Sequence, residues 1–200
     1  MLSRIASAAS RSVIRRVEVI GVFGSGKTFL VNSLDSRFKK IRERHTANRF
    51  WGRRSFQEAS GFLAYDLDFL LDHYYLATRT NTRNGIAVCD WSFVSDRVWA
   101  LLRQGRDSAV YRKVHEELTD AIPEPIGYIF LDYPARLIHQ RIQSRGRAPE
   151  ATITADDVVR AKKALSNAVE KLPSARVLTL KTSDIRRAHR QVAEWEAQYE

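Results

Sequence analysis

The stretch Val17-Glu-Val-Ile-Gly-Val-Phe-Gly-Ser-Gly-Lys-Thr28 limits what this chain can fold into more than any other. Gly21, Gly26, Lys27 and Thr28 satisfy the pattern G-x-x-x-x-G-K-[ST], with an apolar run before it and a helical pattern after it. Val17, Val19, Ile20 and Val22 predict a buried strand, and Thr28 to Leu34 predicts the opening of a helix. The small residues Gly21, Gly24, Ser25 and Gly26 let successive backbone N–H groups turn inward around a polyphosphate. The helix N-terminus behind them adds partial positive charge. Lys27 is placed to reach the outer phosphates, and the Thr28 hydroxyl suits a Mg²⁺ ion that keeps most of its waters. The motif predicts that the chain binds a nucleoside triphosphate.

The rest of the chain repeats one alternation. Short apolar runs at Phe38–Ile41, Ile86–Asp90, Ile126–Leu131 and Arg176–Leu180 predict four further strands. Between them lie helical patterns: one from an N-cap at Ser55, with Glu58 in capping-box spacing, to about Thr78; one capped by Ser92 or Ser95 and running to Leu102; and one over about Ala109–Ala121. Others start at Ala135 and stop at Gly146, carry Val158, Leu165, Val169 and Leu172, and close the chain with Ile185, Val192 and Trp195. Asp66 and Asp68 interrupt the first of these patterns and read as a solvated helix face, the alternative being that one of them points into a site. The polar stretch Arg147 to Thr154 reads as a mobile loop. Five strands separated by helices predict an α/β fold, a five-stranded parallel sheet with helices on both faces. In such sheets the site lies at the carboxyl ends of the strands, where the P-loop, Glu43, Asp90 and Asp132 would meet.

With 200 residues, 44% of them hydrophobic and 28% charged, the chain has the makeup of a soluble globular protein with a single domain from residue 17 to 200. The net charge of +10 is compatible with nucleic acid, an anionic surface or small polyphosphates. No Lys/Arg run exceeds two residues, so a dedicated nucleic-acid face is not expected, nor is a membrane span. The single cysteine, Cys89, reads as a small core residue in a reducing compartment. His45, His73, His115, His139 and His189 lack metal-ligand spacing and read as surface or core residues. Residues 1–16 are rich in Arg and Ser and contain no acidic residue. They form a basic arm of a cytoplasmic protein or, alternatively, a presequence that would direct it to the mitochondrial matrix.

Two segments carry a resemblance. Asp90-Trp-Ser-Phe-Val-Ser-Asp-Arg97 is similar to the [DE]-R-S-x-x-S-D-R segment of deoxynucleoside kinases. The run Leu131-Asp-Tyr-Pro, with Arg141, Arg145, Gly146 and Arg147 downstream, resembles their L-x-x-x-P…R-x-x-x-R-G-R segment, which thymidylate kinases share. Arg42-Glu43 resembles the first-carboxylate motif. The resemblance implies a P-loop kinase fold with an Arg-rich lid at about residues 145–154, ATP as phosphoryl donor and Mg²⁺. It implies that Glu43 takes the proton of a nucleoside 5′-hydroxyl and that Asp90 helps hold Mg²⁺. Asp96 and Arg97 would lie at the acceptor, and Glu150 at its sugar. Arg141, Arg145 and Arg147 would close over the transferring group. Gln57 is the candidate for the family's base-contacting glutamine. Two departures stand out: Trp91 replaces an arginine that helps position the acceptor, and Arg44 replaces a proline. The expected reaction is ATP-dependent phosphorylation of a small acceptor, a (deoxy)nucleoside. A thymidylate-type monophosphate kinase is the near alternative, and a P-loop nucleotide switch or RNA-binding ATPase the distant one. A homodimer is compatible with this reading.

Overall fold

The computed structural model describes residues 15–53, 62–80, 85–105 and 107–199. Five strands, β1 (Arg16–Ile20), β2 (Phe38–Ile41), β3 (Ile86–Cys89), β4 (Gly127–Leu131) and β5 (Val177–Leu180), form one sheet in the order β2-β3-β1-β4-β5. All four pairings are parallel. β1 is buried at every position, as expected of a strand covered on both faces, whereas the edge strands β2 and β5 are each partly exposed.

Among the described residues, seven α-helices surround the sheet: α1 (Lys27–Ser33), α2 (Leu63–Arg79), α3 (Phe93–Gln104), α4 (Ala109–Asp120), α5 (Ala135–Arg145), α6 (Ala155–Val169) and α7 (Ile185–Glu196). Val88 and Cys89, successive on β3, enter different cores, because successive strand side chains point to opposite faces. One core joins β1 and β4 to α1, α5, α6 and α7; the other joins Cys89 and Trp91 to α2, α3 and α4.

The helix ends follow local chemistry. The Ser92 hydroxyl, rather than that of Ser95, caps α3 by accepting from the Ser95 N–H at 2.9 Å. Thr154 and Asp157 form a reciprocal capping box on α6. Gly105 and Gly146 stop α3 and α5 in the left-handed conformation. The expected cap at Ser55 and the Gln57 contact lie outside the described residues.

Three sequence expectations change. Asp66 is not on a solvated face: it is 1% exposed and accepts from Arg103 Nε at 2.6 Å and Gln104 Nε2 at 2.9 Å. Residues 147–154, expected as a polar mobile loop, hold a 3-10 turn, Ala148–Glu150, that buries Glu150. Arg16, grouped with the N-terminal arm in the sequence reading, starts β1 and is buried in an ion pair with Glu18 at 2.8 Å. Glu18 in turn accepts from the Phe93 N–H at the head of α3.

Candidate active site

The cleft at the carboxyl ends of the strands measures about 1200 Å³. Its floor is the loop between β1 and α1. Gly24 and Gly26 adopt φ of 80° and 96°, and a Cβ on Gly24 would meet Ile142 Cγ1 at 2.5 Å, so this turn demands glycine. Lys27 Nζ donates to the carbonyls of Gly21 at 2.9 Å and Val22 at 3.3 Å. Burial pushes the Lys27 ammonium below its usual pKa, and Glu43 and Asp90 oppose that shift. Thr28 is exposed at the head of α1 and lines the cleft. Gly21 and Ser25, in the same loop, are buried and outside the cleft wall; the Ser25 carbonyl accepts from Arg141 at 3.2 Å.

Glu43 follows β2 and enters the cleft with its side chain 35% exposed. Its backbone N–H donates to the Asp90 carboxylate at the end of β3. Parallel pairing of Ile41 with Cys89 explains the contact, since it sets the two strand ends side by side. Asp90 itself is buried and does not line the cleft. Burial raises the Glu43 pKa, while His73 and Lys27 pull it down.

The arginines come from α5 and the turn after it. Arg141 lies over the Tyr133 ring at 5.4 Å, Arg145 is paired with Glu150, and Arg147 approaches Glu150 at 3.8 Å. All three arginines and Glu150 line the cleft. The far wall is aromatic and charged. Phe23 from the phosphate loop packs on Trp99 of α3 at 4.8 Å, and Arg103 lies over the Tyr65 ring at 5.0 Å. Asp96 lines this wall and is bonded to buried His73 at 2.8 Å.

Two expected site residues face elsewhere. Arg97 follows Asp96 by one position, a rotation of about 100° around a helix, and pairs with Glu116 at 3.4 Å and Asp107 at 3.5 Å outside the cleft wall. Asp132 ends β4 as expected, yet its carboxylate pairs with Lys162 of α6 at 2.7 Å and does not line the cleft. Trp91 is 2% exposed and stacks on His73 at 4.4 Å and 3° between planes, so it is a core ring rather than a group at the acceptor.

Sequence reasoning missed His73 and Arg103, and it favoured a solvated face over a site for Asp66. Asp66, Leu70, His73 and Ala77 form the buried stripe of α2 at helical spacing. Two ionisable residues seven apart on that stripe were the available signal.

The family model for deoxynucleoside kinases matches residues 17–196. The chain belongs to the deoxynucleoside kinase family. It is a phosphotransferase, and its sheet is the P-loop kinase sheet of that family. Among solved structures, it is similar to a deoxyadenosine kinase from M. mycoides with products dCMP and a flexible dCDP bound. The TM-score is 0.74 at 12% identity, over 92% of this chain and 99% of that one. The same kinase with bound dCTP superposes with a TM-score of 0.71 at 12% identity, over the same shares of both chains. No curated protein sequence matches the chain.

Proposed function

We propose that this kinase transfers the γ-phosphoryl group of ATP to the 5′-hydroxyl of a deoxynucleoside, with Glu43 as the base. The observation that carries this reading is the meeting of Lys27, Glu43, Arg141 and Arg145 in one cleft. A neutral hydroxyl acceptor needs a group that takes its proton, and a partly exposed carboxylate whose pKa burial has raised is suited to that task. In the step, the 5′-oxygen bonds to the γ-phosphorus as its bond to the β–γ bridging oxygen breaks. The proton passes to Glu43 and ADP leaves. Lys27 and the three arginines offset charge on the phosphoryl oxygens. Closure of Arg145 and Arg147 over the phosphates would require them to exchange Glu150 for phosphate oxygens.

The Thr28 hydroxyl in the cleft wall and the Asp90 carboxylate, which is buried and would have to turn toward the cleft, are hard oxygen donors that suit Mg²⁺. Among the described residues no group of three or more His, Cys, Asp or Glu could hold a metal, so a bound Mg²⁺ would depend on phosphate oxygens and water for its other ligands. Such an ion, when bound, offsets phosphate charge. The dCMP held as product by the similar deoxyadenosine kinase, a deoxynucleoside monophosphate, supports the choice of acceptor. The net positive charge is assigned to polyphosphate rather than nucleic acid.

The test is ADP release from ATP against a panel of deoxynucleosides, ribonucleosides, nucleoside monophosphates and RNA. Release that depends on a deoxynucleoside is the expected result. Turnover only with monophosphates would move the reading to a thymidylate-type kinase, and turnover only with RNA would overturn it.

A further inference from the structure

We propose that His73 is a positioning residue that holds the Glu43 carboxylate in its working orientation and ties it to Asp96. The proposal rests on the assignment of Glu43 as the base.

The geometry is specific. His73 sits on the inward stripe of α2 and is 1% exposed. Its Nδ1 is 2.8 Å from an Asp96 oxygen, and its Nε2 is 3.7 Å from Glu43 Oε1. Nε2 is buried and makes no hydrogen bond, a costly state for a ring nitrogen in the interior. The ring cannot turn to relieve it: one face lies flat on Trp91 at 4.4 Å, and Phe69 tilts against it at 6.0 Å. The polar atom that can adjust is the Glu43 carboxylate, which is one-third exposed and needs only a small rotation to close the gap.

His73 does not line the cleft, although Glu43 and Asp96 both do. It therefore acts through those two carboxylates and not by touching the acceptor. The charges agree with this placement. Burial disfavours the imidazolium, but Asp96 and Glu43, with Asp72 from its own helix, outweigh burial and raise the His73 pKa. An imidazolium held between two carboxylates would orient both. Trp91, which stands where the resemblance expects an arginine, supplies the flat surface that fixes this ring.

The test uses the full chain with ATP and the best deoxynucleoside from the panel. In His73→Asn the amide falls near the Nδ1 position and keeps Asp96; in His73→Gln it reaches toward the Nε2 position and keeps Glu43. The asparagine variant is expected to lose about 10–100-fold in kcat with an unchanged KM for ATP, and the glutamine variant to recover much of that loss. Near-normal kcat in the asparagine variant, or equal losses in both, overturns the proposal. Histidine side-chain ¹⁵N spectra of the wild type and Glu43→Gln decide the matter should the His73 variants fail to fold. Movement of the Nε2 resonance with Nδ1 in place supports the contact, and an unmoved Nε2 overturns it. A wild type that phosphorylates no nucleoside overturns the function and this inference together. An active wild type with an unimpaired asparagine variant overturns only the role of His73.

Discussion

The phosphate side of the cleft is made mainly from one short stretch of chain and its backbone. The opposite wall is made from side chains brought together over long separations. On the first side, Lys27 bonds to carbonyls five and six residues away, and the loop geometry depends on two left-handed glycines. On the second, Glu43 meets Asp90 across 47 residues, Asp66 meets Arg103 across 37, and His73 meets Asp96 across 23. The first wall can form wherever a strand, a glycine turn and a helix occur in sequence. The second exists only once α2 and α3 have packed, and it buries charge to exist. On the proposed function, specificity for the acceptor is built where the fold is costliest to assemble, and phosphate binding where it is cheapest.

Replacing Lys27 by Ala attacks the first wall. Turnover should fall by about 10³–10⁵-fold, because a cation on the transferring group is lost. The melting temperature should barely change, because Lys27 packs against the loop rather than the core. Near-normal turnover in steady-state assays would break the assignment of this wall to phosphate. Glu43→Gln attacks the second wall at its chemical end, with an expected loss of about 10²–10⁴-fold in kcat for a nucleoside acceptor. ATP affinity, followed by calorimetry, should survive that change. A loss of ATP binding instead would show that the two walls are not separable.

Asp66→Ala removes one partner of a largely buried pair and leaves Arg103 facing the cleft unpaired. A stability loss of about 2–3 kcal/mol is expected in denaturant melts, below the usual range for broken buried pairs because Arg103 is partly solvated. The KM for the acceptor should rise while that for ATP stays put, which sharpens the contrast directly. Thr154→Ala should have the smallest effect, about 1 kcal/mol from the lost α6 cap. Hydrogen bonds from Thr154 hold the Asp157 carboxyl below the usual carboxylate range. The share of this cap carried by the Asp157 carboxylate is thus present above the ordinary carboxylate pKa and lost as pH falls through the depressed value, whereas the bond from the Asp157 N–H to the Thr154 hydroxyl does not titrate. The gap between mutant and wild-type melting temperatures should narrow in strong acid without closing.

The same division explains what the sequence disclosed. All five strands, the P-loop, the Gly146 stop and the buried Cys89 follow from local patterns, and the structure has them within a residue or two. Glu43 was legible as a cleft residue because Arg42-Glu43 resembles the first-carboxylate motif and follows a predicted strand. Arg97 was misread because motif adjacency ignores helix phase: it shares a segment with Asp96 but not a face. Asp132 was misread because Lys162, its partner, lies 30 residues further along on α6. Asp66 looked like an interruption of an apolar pattern and His73 like any surface or core histidine, and only the packing of α2 on α3 reveals that both point inward. Trp91 read as a missing arginine and is instead the platform for a histidine.

The candidate base is carried by β2, a border strand with β3 as its one neighbour in the sheet, whereas the phosphate loop leaves β1, which is flanked on both sides. Borders fray first. Under mild urea, amide exchange should quicken in Phe38–Ile41 while Arg16–Ile20 stays protected, so the molecule should lose its ability to turn over before it loses its grip on nucleotide. Where the base hangs thereby makes catalysis the most fragile property of an otherwise robust binder.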